Sequence, residues 1–325
     1  MPCPAHPQAV TAPITRCATF LVLKAANSPG ALGTIRSTLA GINGLSRSVS
    51  FRDIGAPIAC TVGIGSDVWD SLTGLPRPPE LHPFVPIKGR KHEAISTPGD
   101  LLFHIRSDRR DLCFEFERQL MMNLGSAVSV VDETVGFRYF DARDLLGFVD
   151  GSANPGGEEA DEAAFVSGSD GASGGGGSTE ARAETAEGGS YVVVQKYLHD
   201  IKGWDDLPTE TQESIIGHKK LDNMELDDAG PQDQKSHKTL ATIEGDDGEE
   251  LDVMRYNMPF GSFEKGEFGT YFIGYSGRLW VLEEMLKRMF VGVPEGKHDQ
   301  ILDFSRAVTG TVFFAPRKEI LEGLE

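Results

Sequence analysis

Apolar positions along this chain recur with two periods, and the two periods alternate in a fixed order. Leu101-Leu102-Phe103-His104-Ile105 is an apolar run of strand length, and Asp108 to Leu124 follows with Leu112, Phe116 and Leu120 at helical spacing. Val128 to Tyr139 then reads as a second strand. The succession returns further on. Thr270 to Tyr275 is strand-like, Leu279 to Phe290 is an amphipathic helix carrying Val281, Met285 and Met289, and Val308 to Phe314 is again a strand. Each half also opens on a strand, Ala18 to Leu23 and Tyr191 to Tyr197, and short helices are predicted over Thr209 to Ile216 and Asp299 to Val308. Repetition of this order predicts an α+β fold made of duplicated ferredoxin-like units, with antiparallel sheets packed together and helices at the periphery. Two such sheets leave room for a cleft that takes a large flat ligand.

The predicted halves are residues 1–150 and 190–325. Between them, residues 156–189 are rich in Ala, Glu, Ser and Gly and include Gly174-Gly175-Gly176-Gly177. That composition has too few large apolar side chains to offset its ordering entropy, so a disordered acidic surface insert is predicted there.

Composition narrows the class. The 325 residues are 39% hydrophobic, enough for one large domain or two ordinary ones. No run has the length of a membrane-spanning helix, and Met1 to Pro13 lacks the basic-then-apolar order of a signal peptide, so a cytoplasmic location is expected. The four cysteines, Cys3, Cys17, Cys60 and Cys113, have no metal-binding spacing, and no Cys-x-x-Cys-His occurs. A formal charge of −18 argues against a nucleic-acid partner, because phosphates would be repelled.

Four segments carry candidate chemistry. In Gly147-Phe148-Val149-Asp150-Gly151-Ser152-Ala153-Asn154-Pro155 one carboxylate stands between glycines on a loop that neither a helix nor a strand interior accepts. Alone it is a turn signal. Lys235-Ser236-His237-Lys238 offers a histidine, with His104 in its apolar strand as the best rival; the other histidines read as solvent-facing. In Met254-Arg255-Tyr256-Asn257-Met258-Pro259-Phe260-Gly261, alternation points Arg255 and Asn257 to one face, although an ordinary ion pair would also explain Arg255. In His298-Asp299-Gln300-Ile301-Leu302-Asp303-Phe304 the acids open a helix, where capping alone would account for Asp299. Together they supply what a haem peroxidase needs: an imidazole for the iron, a carboxylate behind it, and an acid and a cation on the open side.

These residues resemble the dye-decolorizing peroxidase family, in particular its B-type bacterial branch. The resemblance covers most of the chain outside 156–189 and is densest in Gly147 to Pro155, Gly189 to Gly203, Lys220 to Asp227, Met254 to Gly274 and Ile301 to Phe314. It implies one noncovalent haem b per chain, held in the C-terminal half with His237 as axial ligand of the iron. It further implies Asp150 as distal acid/base, Arg255 as distal cation, Asn257 completing the pocket, and Gly151, Phe260 and Phe272 among the haem contacts. Asp299 is favoured as the carboxylate behind His237, with Asp303 as the alternative. The implied reaction uses hydrogen peroxide to oxidise dyes, phenolics and other small aromatic reductants through a ferryl-oxo intermediate. A haem-handling protein with little turnover is the competing reading, and it would need neither the distal acid nor the arginine. The sequence departs from the family at Ser152, where threonine is usual, and at Tyr256, where an aspartate is common. A homo-oligomer is expected, no membrane partner is expected, and Pro316 to Glu325 lacks the tail by which some relatives enter encapsulin shells, so that partner is not expected.

Overall fold

The structure is a computed structural model that describes residues 6–151, 154–167, 177–245 and 247–324. Its strands are β1 (Cys17–Ala25), β2 (Ala59–Ile64), β3 (Ile87–Lys88), β4 (Glu93–Ala94), β5 (Leu101–Ser107) and β6 (Val128–Phe137) in the first half. The second half has β7 (Ser190–His199), β8 (Met254–Arg255), β9 (Met258–Ser262), β10 (Glu267–Ser276), β11 (Ser305–Ala307) and β12 (Thr311–Ala315). The helices are α1 (Ala31–Ala40), α2 (Ile42–Ser50), α3 (Ser66–Thr73), α4 (Arg110–Leu124), α5 (Glu158–Ala164) and α6 (Gly177–Ala186), followed by α7 (Ile201–Asp205), α8 (Thr209–Ile216), α9 (His237–Ala241), α10 (Leu279–Val291) and α11 (Lys318–Glu322).

Every main strand pair is antiparallel, in the order β6-β1-β5-β2-β12-β7-β10-β8, with β9 also on β10 and β11 on β7. Among the described residues one strand pairing, Phe314 of β12 opposite Ile64 of β2, joins the first-half strands to the second-half strands. The sheet then folds back on itself. Phe20 of β1 stacks on Tyr271 of β10 with ring centroids 4.2 Å apart, and a shared core runs through Val22, Leu102, Val194 and Phe313. The outer faces are covered by helices, α4 over the first half and α10 over the second. Their apolar stripes are buried: Leu112, Phe116 and Leu120 in α4, and Val281, Met285 and Met289 in α10.

Three readings change. The segment between Met1 and Leu101 holds two further helices and β2 ahead of α3, none of which the apolar periodicity had singled out. The predicted helix over 299–308 is a single 3-10 turn, Gln300–Asp303, followed by β11; the Asp299 carboxylate takes the Ile301 N–H, and Ser305 to Ala307 pair with β7 instead of continuing the helix. The insert is ordered over its described part: α5 buries Ala160 and Ala164, and Val166 exchanges backbone hydrogen bonds with Gly188 and Gly189 at 3.0 and 2.8 Å. Its alanines are strong helix formers and small enough to lie close against the sheet, which bulk composition conceals. Residues 168–176, with Gly174 to Gly176, lie outside the described residues, as do Cys3 and Ser152.

Candidate active site

The glycine loop is held from three directions. Its first turn closes on Asp144, whose backbone N–H bonds the Phe148 carbonyl at 2.8 Å while its carboxylate takes the Phe148 N–H at 2.9 Å. Gly147 follows at φ 90°, a left-handed conformation that a side chain disfavours, and an added Cβ would also meet Lys220 at 2.6 Å. Arg143 then donates to the carbonyls of Gly147 at 2.8 Å and Lys220 at 2.6 Å, stitching the loop to the segment after α8. Beneath it, Leu146 and Phe148 pack on Trp204, Ile215 and Ile216, and the Trp204 indole donates to the Leu146 carbonyl at 2.9 Å. Burial of Phe148 alone contributes about 1.5–3 kcal/mol.

At the end of this braced loop, the Asp150 N–H bonds the carbonyl of Ala142 at 2.9 Å. Asp141 and Ala142 both have positive φ, 49° and 57°, so non-glycine backbone is kept in a sparsely populated conformation next to the acid. Asn154 does what the sequence did not announce. Its side chain accepts the Arg255 N–H at 2.9 Å and donates to the Arg255 carbonyl at 2.6 Å, tying the end of the loop to β8. Asn257 completes the connection: its amide donates to Asp150 at 3.4 Å, and its carbonyl oxygen accepts the Ile273 N–H at 3.2 Å.

His237 opens α9. Ser236 is the cap, its hydroxyl accepting the Thr239 N–H, and Gly217 at φ 93° lies so close that a Cβ would sit 2.6 Å from that hydroxyl. The His237 Nδ1 lies 2.6 Å from a carboxylate oxygen of Asp299, whose other oxygen takes the Ile301 N–H at 3.1 Å. Asp299 is fully buried. Burial works against a charged imidazole at His237, whereas the charge and hydrogen bond of Asp299 favour it; the balance lies above the usual histidine range.

Asp150, Arg255, Asn257 and His237 line one cavity of about 850 Å³, walled by Phe272, Met285, Leu286 and Met289. Burial pulls the Arg255 guanidinium below its usual range, opposed by the charges of Asp150 and Asp252. Asp144 faces the same cavity. Burial and the Asp150 charge push its carboxyl up to about 7, despite backbone hydrogen bonds from Phe148, Leu146 and Gly147. A second cavity, of about 630 Å³, shares Asp150, Arg255 and Asn257 and extends past Gly151 toward Tyr139 and Arg143. The three polar residues therefore stand between the two spaces.

The remaining sequence candidates fall elsewhere. Gly151 lines the second cavity rather than the larger one. Phe260 is buried in the inter-sheet core beneath the Lys196 ammonium, because its strand register turns it away from the cavity. Asp303 bonds Lys91, His92 and His298, and Asp299 alone reaches His237. His104 is buried on β5 with Nδ1 2.9 Å from the Tyr275 hydroxyl, and it borders the smaller cavity. Two residues escaped notice. His199, expected at the surface, lines the larger cavity, bonded to Thr270 and Ser305 at 2.9 and 2.8 Å, and burial lowers its imidazole to about 4. Asp144 carried only the faint signal of a second acid six residues before Asp150.

The donor set suits a flat iron macrocycle. With Nδ1 engaged by Asp299, His237 keeps Nε2 for a metal, and the apolar wall accepts a conjugated ring. A cavity with an imidazole–carboxylate pair, a second carboxylate and an arginine defines a peroxidase site in class. The comparisons with known proteins agree. The model of the Dyp-type peroxidase N-terminal region matches residues 7–138, and that of its C-terminal region matches residues 141–320. A dye-decolorizing peroxidase of Rhodococcus erythropolis is 48% identical over 99% of this chain and 90% of its own length. One from Mycobacterium tuberculosis is 48% identical over 97% and 90%. The solved structure of DyPB from Rhodococcus jostii superposes with a TM-score of 0.89 at 49% identity, covering 98% of this chain and 97% of that one. Its arginine-to-leucine variant, in complex with haem, has a TM-score of 0.89 at 49% identity and covers 98% of each chain. The encapsulated enzyme from Mycobacterium smegmatis has a TM-score of 0.90 at 47% identity, also covering 98% of each chain. This chain belongs to the Dyp-type peroxidase family.

Proposed function

We propose that the larger cavity holds one noncovalent haem b, with His237 as its axial ligand, and that the chain uses hydrogen peroxide to oxidise dyes, phenolics and other small aromatic reductants. One observation carries the reading: Asp150, Arg255, Asn257 and His237, the last backed by Asp299, come from separate segments and converge on a single cavity. Neighbours in which an aspartate or an arginine is substituted are themselves haem complexes, and the same residue types meet here.

When bound, the haem supplies the iron and the conjugated ring that hold the two oxidising equivalents taken from peroxide. Asp150 would accept a proton from hydrogen peroxide in the pocket and return it to the departing oxygen. Arg255 stabilises the negative charge that grows as the O–O bond breaks, inside a pocket that strengthens such interactions. Asn257 holds the Asp150 carboxylate through a contact of 3.4 Å. Asp299 fixes the tautomer and ring plane of His237 and raises its donor strength. The acid and arginine favour turnover over haem handling, which has no use for a proton shuttle.

The same reading places the enzyme in the cytoplasm, supported by free thiols at Cys17, Cys60 and Cys113. Among the described residues no helix is long and apolar enough to cross a membrane. The expectation against encapsulin packaging finds no support among the relatives, since the M. smegmatis neighbour is an encapsulated enzyme. The test is rapid mixing of haem-loaded protein with peroxide. An immediate change in the Soret band, followed by bleaching of an added dye, is expected; an unchanged ferric spectrum in excess peroxide would sink the proposal.

A further inference from the structure

Away from the cavity, three ligand-bearing side chains from two distant segments meet at one point. His92 comes from the turn of the β3–β4 hairpin, where its carbonyl accepts the Gly89 N–H at 3.0 Å. His298 and Asp303 come from either end of the 3-10 turn that carries Asp299. The Nε2 of His92 lies 2.6 Å from the Asp303 Oδ1, and the Nε2 of His298 lies 3.0 Å from the same oxygen. All three ligand atoms fall within 4.8 Å of one another, and the imidazole rings meet edge to face with centroids 4.9 Å apart.

We propose that His92, His298 and Asp303 bind a divalent first-row transition ion, of which zinc is the best match. Two imidazoles and one carboxylate form a borderline donor set that suits zinc and discriminates against magnesium and calcium, which favour oxygen ligands. With metal–ligand bonds of about 2.0–2.2 Å, donor atoms around a tetrahedral ion stand roughly 3–3.5 Å apart. The His298–Asp303 separation of 3.0 Å already lies at that spacing, and the His92–Asp303 separation of 2.6 Å has only to widen to reach it. Rotation of half-buried side chains is enough to bring in the rest, and water completes the coordination. The competitor for Asp303 is Lys91, whose ammonium lies 2.7 Å from the same oxygen. That side chain is 58% exposed, so an incoming dication can displace it into water, but only by breaking this ion pair and approaching a like charge.

The site has a structural consequence. His298 directly precedes Asp299, and Asp303 ends the same turn, so one ion fastens both ends of the segment that holds His237. It also fastens that segment to the β3–β4 hairpin of the other half. Metal binding itself is independent of the peroxidase reading; only the bracing of the haem ligand rests on it.

The experiment is calorimetric titration of zinc chloride into untagged, chelator-treated holoenzyme at slightly alkaline pH, where imidazoles are neutral. One zinc per chain is expected, with a Kd on the order of 1–10 µM. His92→Gln and His298→Gln should each weaken binding by about tenfold or more, a loss of about 1.4 kcal/mol or greater. Lys91→Gln should tighten binding, because it removes the competing ammonium while leaving the three ligands. That variant tests the site even if a histidine variant folds poorly. Absence of zinc binding, or equal affinity in the wild type and His92→Gln/His298→Gln, would overturn the proposal. So would an unchanged or weakened Kd in a folded Lys91→Gln protein.

Discussion

Asn154→Ala isolates the tie between the glycine loop and β8 without touching any group proposed to react. The substitution removes two hydrogen bonds to the Arg255 backbone, at 2.9 and 2.6 Å. A net contribution of about 0.5–1.5 kcal/mol for each gives a loss of about 1–3 kcal/mol in stability. Only part of that reaches the reaction, because Arg255 is still paired through β8 to Gly274 of β10. If half of the lost restraint, about 0.5–1.5 kcal/mol, appears as misplacement of the guanidinium, the peroxide step slows by about two- to thirteenfold. Two measurements check this: urea denaturation of the haem-loaded protein, and stopped-flow rates against peroxide concentration. Stability should fall and the second-order peroxide rate should fall with it, while subsequent oxidation of a small reductant keeps its rate. A folded variant with wild-type stability and wild-type peroxide rate would show that the tie is idle and that β8 alone positions the arginine.

The other predictions address individual groups. His237→Ala should abolish the protein-derived axial ligand and alter the Soret and charge-transfer bands; a wild-type spectrum would move the ligand elsewhere, with His199 the first candidate because it shares the cavity. Arg255→Leu should slow the peroxide step by about 10²–10³-fold, and an unchanged rate would remove it from the chemistry. Asp299→Asn keeps a hydrogen-bonding partner for His237 but deletes its charge, so the iron reduction potential should rise; spectroelectrochemistry reads this, and no change would mean that the carboxylate only orients the ring. Asp144 has its folded carboxyl raised to about 7, so it favours folding in acid, with that contribution present below the ordinary carboxylate range and lost as pH rises through about 7. Asp144→Asn should therefore flatten the decline in stability between the ordinary carboxylate range and about pH 7, and an identical profile by denaturant melts would refute a protonated Asp144.

What the sequence disclosed and what it hid divide along physical lines. Strands with continuous apolar runs and helices with a complete stripe, such as β5, α4 and α10, were legible because local periodicity determines which face is buried. The fold-back that stacks Phe20 on Tyr271 was legible only as a consequence of duplication, since 251 positions separate the two rings, the difference of their numbers. The ordered insert was missed because composition averages over α5, whose buried Ala160 and Ala164 recur every four residues. Phe260 was misplaced for a related reason: alternation along β9 fixes which residues share a face but leaves open which face meets the cavity. His199 looked solvent-facing from its neighbours in sequence, yet strand pairing sets Ser305 and Thr270 on either side of it.

The spatial logic of the site explains why no single motif could have carried it. Asp150 sits on the loop after β6, whereas Arg255 and Asn257 come from β8 and the link to β9 and His237 from α9; among the described residues one strand pairing, Phe314 with Ile64, joins the strands before that loop to those after it. So slender a seam does not by itself hold an acid and a cation in register. The extra restraint comes from side chains of the loop that bind distant backbone: Asn154 on Arg255, and Arg143 on Lys220. Neither residue would be chosen as reactive, because each spends its polar atoms on carbonyls and amides. That is the reason the loop tolerates left-handed backbone at Asp141 and Ala142. The surrounding bonds over-determine the loop, and Asp150 is delivered to the arginine as a fixed object rather than as the tip of a mobile turn.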